Sequence, residues 1–86
     1  MIPVKAPNTA SRLIAGEAVI LSLDTKILRG LNPVGSRVWD LIDGARSVDD
    51  IVDIVVSEFD VTRSVAAADV QAFIGELVER GLAGPA

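Results

Sequence analysis

The spacing of apolar and polar positions predicts strands in the first third of the chain and helices in the rest. Residues 17–23 are predicted to form a strand, because side chains alternate along it and Val19, Leu21 and Leu23 share one face. A shorter apolar segment at residues 11–14 precedes it, and residues 26–31 form a third segment with the same period. Turn-forming residues separate the three segments, so we expect an antiparallel sheet.

The first helix is marked by signals at both of its ends. Asn32 can accept a hydrogen bond from a first-turn amide, and Pro33 at the first helical position lacks only an N–H that the helix does not use. Gly44 is predicted to stop this helix, since it adopts a left-handed cap without strain. Apolar residues recur between these signals at helical spacing, at Val34, Val38, Leu41 and Ile42.

Two further helices follow. Ser47 and Asp50 have the spacing of a capping box, which predicts a helix start at Ser47 even though the many Val and Ile residues that follow could also form a strand. The spacing i, i+3, i+4, i+7 favours the helix. The third helix is predicted over residues 65–80, with Gly81 as its cap and Leu82 folded back onto the last turn.

This order of elements predicts an α+β fold, in which helices cover one face of a small three-stranded sheet. A strand order of either 1-2-3 or 1-3-2 is compatible with the turns. At 86 residues the chain is expected to form a single domain. Residues 1–8 contain Pro3 and Pro7 and show no period, so we expect them to form a flexible arm.

Composition narrows the possible functions. The chain has no Cys, which excludes thiolate metal sites, and no His, which removes the commonest general base and metal ligand. We therefore expect neither an enzyme nor a cofactor or metal site. A net charge of -4 disfavours nucleic acid as a partner. No apolar stretch is long enough for a signal peptide or a membrane span, so we expect a cytoplasmic protein that does not bind membranes.

The whole pattern resembles the PqqD-like family. The Asn-Pro-x-Gly start of the first helix, its Asp-Gly end, the Ser-capped second helix and the Glu-Arg-Gly-Leu end of the third all fit that family. The similarity extends over residues 17–82. The matching residues are Leu31, Asn32, Pro33, Gly35, Trp39, Leu41, Asp43, Gly44, Val48, Ile51, Asp69, Val70, Phe73, Leu77, Gly81 and Leu82.

This resemblance implies a winged helix-turn-helix layout and a non-catalytic role. Such domains hold the leader segment of a ribosomally made precursor peptide and present it to a tailoring enzyme. The product stays open between pyrroloquinoline quinone and other modified peptides, including lasso peptides. The partner enzyme stays open in the same way, between a radical SAM enzyme that carries iron-sulfur clusters and a leader peptidase.

The resemblance also implies a binding site, in which the leader adds a strand to the third predicted strand and lies against the third helix. The two basic side chains of that strand would suit acidic leader residues. The residues that would pair with the leader backbone are Lys26, Ile27, Leu28, Arg29 and Gly30. The residues that would form the groove wall are Val70, Phe73, Ile74 and Leu77.

Other interpretations of the same residues stay open. Apolar residues at helical spacing are more often core than groove, and the free sheet edge could instead pair with a second copy in a homodimer or assembly module. A DNA-binding winged helix is the weaker alternative, because the second helix carries Asp and Glu but no basic residue. Trp39, the only Trp, is predicted to close one side of the core.

Overall fold

The computed structural model describes residues 1–86 and contains five strands and three helices. In chain order these are β1 (Pro3–Lys5), β2 (Thr9–Ile14), β3 (Glu17–Ser22), β4 (Leu28–Gly30), α1 (Pro33–Leu41), α2 (Val48–Glu58), α3 (Arg63–Glu79) and β5 (Ala83–Pro85). The predicted α+β fold is confirmed.

Strands β2, β3 and β4 form an antiparallel sheet in chain order, the first of the two orders that the sequence allowed. Ala15 and Gly16 join β2 to β3, and both have positive φ angles of 53° and 83°. These angles are typical of the two-residue turn that matches the twist of a hairpin. Because β3 lies in the middle, both β2 and β4 have a free edge.

The predicted caps of α1 and α2 are present. The side chain of Asn32 accepts a hydrogen bond from the amide of Gly35 at 2.7 Å, and Ser47 and Asp50 form the capping box of α2. The first helix ends earlier than Gly44, since its C-cap is Ile42. Gly44 instead adopts a φ of 80° in the loop beyond the helix.

The end of α3 has the predicted Schellman geometry. The amide of Leu82 donates to the carbonyl of Leu77 at 2.8 Å, and the amide of Gly81 donates to that of Val78 at 3.0 Å. Gly81 has a φ of 73°, which favours glycine. This turn directs the chain into β5, a strand that the sequence pattern did not predict.

The N-terminal segment differs from the flexible arm that we expected. Strand β1 is extended but pairs with β5, which brings the two ends of the chain together. Pro3 lies opposite Pro85 in a pair that exchanges no hydrogen bonds, so the ladder loses nothing from their missing N–H groups. The partner strand is distant in sequence, and local periodicity therefore carries no signal for this pairing.

The core lies between the inner face of the three-stranded sheet and the helices, and consists mostly of Val, Ile and Leu. Trp39 is only 3% exposed, which confirms its predicted place at one side of the core.

Buried Ser36 connects α1 to the sheet. Its hydroxyl accepts from the amide of Ala18 at 2.8 Å and donates to the carbonyl of Leu31 at 3.3 Å. The end of β4 is thereby fixed beside α1.

Candidate peptide-binding site

Strand β4 has one edge that no other strand covers, and its backbone geometry can be worked out from the pairing with β3. The amide of Ser22 donates to the carbonyl of Ile27 at 3.1 Å, which makes Leu28 a residue without ladder bonds to β3. The amide of Leu31 donates to the carbonyl of Ala18 in the chain segment of β3 at 2.9 Å, so Gly30, one residue earlier, also makes no ladder bonds to β3. The N–H and C=O groups of both residues therefore point to the free edge.

A groove of about 470 Å³ lies directly beside this edge, between β4 and α3, with the start of α1 at one end. Its walls combine apolar and charged side chains. The strand contributes Arg29 and Gly30, and the helix contributes Val70 and Phe73. An extended chain that paired with Leu28 and Gly30 would place alternate side chains over this groove, since successive residues of a strand point to opposite faces.

Arg29 connects the strand to the helix. Its Nη1 lies 2.7 Å from Oε1 of Glu76, and its guanidinium carbon lies 5.7 Å from the centre of the Phe73 ring. The hydrogen-bonding contact with Arg29 lowers the pKa of Glu76, and the charges of Arg29 and Arg80 add to this effect. Glu76 also forms an ion pair with Arg80 at 3.2 Å.

The predicted strand residues differ in their accessibility for pairing. Leu28, Arg29 and Gly30 form β4, but Lys26 lies in the preceding turn with a φ of 61°, and Ile27 joins that turn to the strand. The amide of Lys26 is used by the carbonyl of Ser22 at 2.8 Å, which closes the turn. The strand is therefore shorter than predicted, because a left-handed residue interrupts its extended backbone.

The predicted groove residues of α3 also divide into two sets. Phe73 and Val70 border the groove, although Val70 is only 1% exposed and belongs to the core, as Ile74 and Leu77 do. Neither Ile74 nor Leu77 borders the groove in this structure, and their contact with a peptide stays a prediction. Helix α3 has 17 residues and contacts several parts of the molecule. Helical spacing alone does not show which of its apolar residues are buried and which lie at the edge of the core.

Several groove residues were not assigned to it from the sequence. They come from the loop and first turn of α1 and from the outer side of α3, at Leu31, Asn32, Val34, Gly35, Val38, Asp69, Ala72 and Glu76. Four of these residues, Leu31, Asn32, Gly35 and Asp69, also carry the family resemblance. Their place in that pattern is the signal by which they could have been assigned to the groove. A Cβ at Gly35 would lie only 3.1 Å from Oδ1 of Asn32, so glycine at this position avoids crowding the cap of α1.

The charge of the groove is more balanced than the two basic residues of the strand suggested. Arg29 is already paired with Glu76, and Asp69 adds a second carboxylate to the lining. Lys26 has no carboxylate partner, but it stands at the far end of the edge. The groove therefore offers shape and apolar contact more than a strong electrostatic preference.

Other kinds of site find little support in the structure. No group of three or more acidic residues is placed to hold a metal ion. None of the helices has both the length and the apolar character that crossing a bilayer requires. The carboxylates at the start of α2, Asp49 and the capping residue Asp50, are exposed to solvent, where they would repel a DNA backbone.

Comparison with known proteins connects this geometry to a family. No curated protein sequence matches the chain. Among solved structures, the chain is similar to one described as TbiB1 in complex with the TbiA(beta) leader peptide, with 31% identity over 93% of each chain and a TM-score of 0.85. It is also similar in fold to a lasso peptide synthetase B1 complexed with the leader peptide, with 22% identity, a TM-score of 0.87 and coverage of 99% of this chain and 100% of the other.

The family described as Coenzyme PQQ synthesis protein D (PqqD) matches residues 17–83. This range includes β3, β4, all three helices and every residue that lines the groove beside β4. The match thus covers most of the chain and agrees with the resemblance that the helix caps indicated. The chain belongs to the PqqD family.

Proposed function

We propose that this protein is a non-catalytic adaptor that binds the leader segment of a ribosomal precursor peptide and presents it to a tailoring enzyme. The leader adds a fourth strand to the sheet beside β4. Membership of the PqqD family supports this role, and so does the similarity to a chain that was solved together with a leader peptide. The observation that carries the proposal is the free edge of β4 beside a groove that Arg29 and Gly30 of the same strand line.

In this proposal the backbone supplies register. The outward N–H and C=O groups of Leu28 and Gly30 can form hydrogen bonds with alternate residues of the leader. Ile27 is 63% exposed and Leu28 is 67% exposed, so the side chains of both are accessible to a leader at this edge. Lys26 has no carboxylate partner, and we assign it to an acidic residue at one end of the leader.

The groove supplies side-chain selectivity. An apolar leader residue would lie against Phe73 and Val70, with Ile74 and Leu77 behind them as the core that fixes the helix. Burying one aliphatic side chain there contributes about 1.5–3 kcal/mol. Arg29 closes one side of the groove through its contacts with Glu76 and Phe73, and these contacts orient the apolar surface toward the leader.

The test uses short peptides encoded beside the gene of this protein, with their leader segments labelled with a fluorophore. Fluorescence anisotropy should show saturable binding of one leader and no binding of a scrambled peptide of the same composition. The isolated chain should leave that peptide chemically unchanged, as mass spectrometry would record. Failure of every encoded leader to bind, together with a dimer by light scattering, would favour self-association through β4 instead.

The same leader also identifies the enzyme partner. Purified radical enzymes and peptidases encoded nearby should be tested for turnover of the full precursor with and without this protein. We expect one of them to act faster when the protein is present. A precursor that is processed equally well without it would contradict the adaptor role.

A further inference from the structure

The opposite edge of the same sheet has the features of a second binding site. Strand β2 pairs only with β3, so its outer edge is free. The amide of Leu23 donates to the carbonyl of Asn8 at 2.9 Å, which sets the alternation of bonded and unbonded pairs along the ladder. By this alternation, Ser11 and Leu13 direct their N–H and C=O groups away from β3, toward solvent.

A groove of about 450 Å³ lies beside this edge, between β2 and α1. Leu13 is 70% exposed and forms one apolar side of it. Trp39 forms the base, and its indole N–H donates to the hydroxyl of Ser11 at 3.0 Å. The Nζ of Lys5 lies 5.3 Å from the centre of the Trp39 ring and covers one end of the groove.

This groove is positively charged in a protein whose net charge is -4. Arg37 also lines it, but Arg37 is neutralised by Glu58 at 2.8 Å and by Asp40 at 2.8 Å. Lys5 and Arg12 have no carboxylate within ion-pair distance. Two uncompensated cations thus stand along a free strand edge. Lys5 lies at the apolar groove, and Arg12 is on the other face of β2, because it alternates with Ser11 and Leu13.

We propose that the groove between β2 and α1 binds an extended segment of a partner protein that alternates acidic and apolar residues. The segment pairs with the backbone of Ser11 and Leu13, places an apolar side chain against Leu13 and Trp39, and directs a carboxylate to Arg12 or Lys5. Because β2 and β4 are opposite edges of one sheet, this segment and a leader can bind at the same time. The inference thus goes beyond leader binding and does not depend on it.

Charge favours this occupant over a second copy of the chain. Pairing of two β2 strands about a two-fold axis would bring Lys5 and Arg12 of both copies into one interface. Like charges that face each other across paired strands are destabilising. An acidic segment instead neutralises both residues.

The probes for the test are overlapping short segments of the enzymes encoded beside the gene, synthesised as an array. Segments that bind the fluorescently tagged protein should combine Asp or Glu with apolar residues. The strongest binder is then titrated against the untagged protein, with Trp39 fluorescence as the signal. Since Trp39 is the only Trp and lies at this groove, a saturable change in its emission reports binding at β2.

Two charge reversals test the site itself. Arg12→Glu should weaken binding of the acidic segment about tenfold or more, the size expected for one well-placed charge pair at an interface. Arg46→Glu changes the net charge by the same amount, but Arg46 pairs with Asp43 away from both grooves, so it should leave the affinity unchanged. Thermal melts of both variants confirm that they fold.

The outcomes separate this inference from the proposed function. Saturating leader should leave the affinity for the acidic segment unchanged, and Arg12→Glu should leave leader affinity unchanged. Any of four results overturns the inference: no array segment binds, the bound segments are not acidic, Arg12→Glu binds the acidic segment as tightly as the original chain, or light scattering shows a dimer that Arg12→Glu alters and Phe73→Glu does not. None of these results bears on whether a leader binds at β4.

Discussion

The two edges of the three-stranded sheet are similar in form but differ in chemistry. Each edge has residues whose backbone groups point outward, Leu28 and Gly30 on β4 and Thr9, Ser11 and Leu13 on β2. Each edge also borders a groove of about the same size, 470 Å³ beside β4 and 450 Å³ beside β2. Backbone geometry alone therefore does not distinguish the two edges.

Side chains make the difference. At β4, Arg29 is paired with Glu76 across the groove, and Phe73 gives a wide apolar wall. At β2, the aromatic side chain is tied to the strand by a hydrogen bond, and the cations Lys5 and Arg12 remain unpaired. The comparison indicates that a sheet edge sets the mode of binding, whereas the helix packed beside it sets what is bound.

The largest effect is expected at the apolar wall beside β4. Phe73→Glu should weaken leader binding by more than about a hundredfold, or roughly 2.7 kcal/mol, because it places a charge where an apolar leader side chain is buried. Val78→Glu introduces the same charge on another face of α3, at a residue that is 39% exposed, and should leave leader binding unchanged. Anisotropy titrations and thermal melts of both variants measure the effect.

If Val78→Glu weakened leader binding as much as Phe73→Glu does, the result would contradict the proposed groove. It would mean that added negative charge, and not the apolar wall, controls binding. The melts guard against a simpler explanation, since unfolding of Phe73→Glu would also abolish binding.

The next effect is expected at the backbone of the same edge. Gly30→Pro removes one outward N–H, and should weaken leader binding by up to about tenfold, because one hydrogen bond contributes roughly 0.5–1.5 kcal/mol. Gly30→Ala retains the N–H, and its Cβ would meet no atom within 4 Å. Equal binding by the two variants, measured by isothermal titration, would show that this amide does not pair with the leader.

A change at β2 should affect stability without affecting the leader. Ser11→Ala removes the acceptor of the Trp39 indole and should lower the free energy of unfolding by about 1–3 kcal/mol, the cost of an unpaired buried donor. Ser11→Thr keeps the hydroxyl and should lie closer to the original stability. Urea unfolding of both variants tests this. Loss of leader affinity in folded Ser11→Ala would contradict the independence of the two edges.

The smallest effect is expected in the dependence of stability on pH. The contact with Arg29 holds the pKa of Glu76 below its ordinary value of 4.5, so its contribution to stability is present above that value and is lost as pH falls through the lowered pKa. An NMR titration of the Glu76 carboxyl should give a midpoint below 4.5, and Arg29→Gln should move it upward. An unchanged midpoint in Arg29→Gln would show that the ion pair does not form in solution.

The sequence predicted those features that depend on local chemistry. Asn32, the capping box of Ser47 and the Schellman turn at Gly81 each act within one helical turn, and all three are present. Strands β3 and β4 followed from period and turn residues. Pairing of β1 with β5 joins opposite ends of the chain, so no local pattern could have predicted it.

The candidate site was predicted only in part, because some of its contacts join parts of the chain that are distant in sequence. Arg29 and Phe73 were identified, but their mutual contact and the role of Glu76 depend on how α3 lies across the sheet. Ile74 and Leu77 were assigned to the groove although they are buried, since residues at the groove and in the core, such as Phe73 and Ile74, are direct neighbours in the sequence. The second groove was missed, because Ser11, Lys5 and Trp39 come together only in the folded chain.

The most direct test is a 15N–1H NMR titration of the labelled protein with its leader. We predict large shifts of the Leu28 and Gly30 amides, which gain hydrogen bonds, with smaller shifts at Arg29, whose amide already bonds to β3. Phe73 and its neighbours on α3 should shift with them, while Ser11 and Leu13 stay unchanged. Shifts that instead concentrate at Ser11, Leu13 and the Trp39 indole would place the leader on β2 and contradict the account.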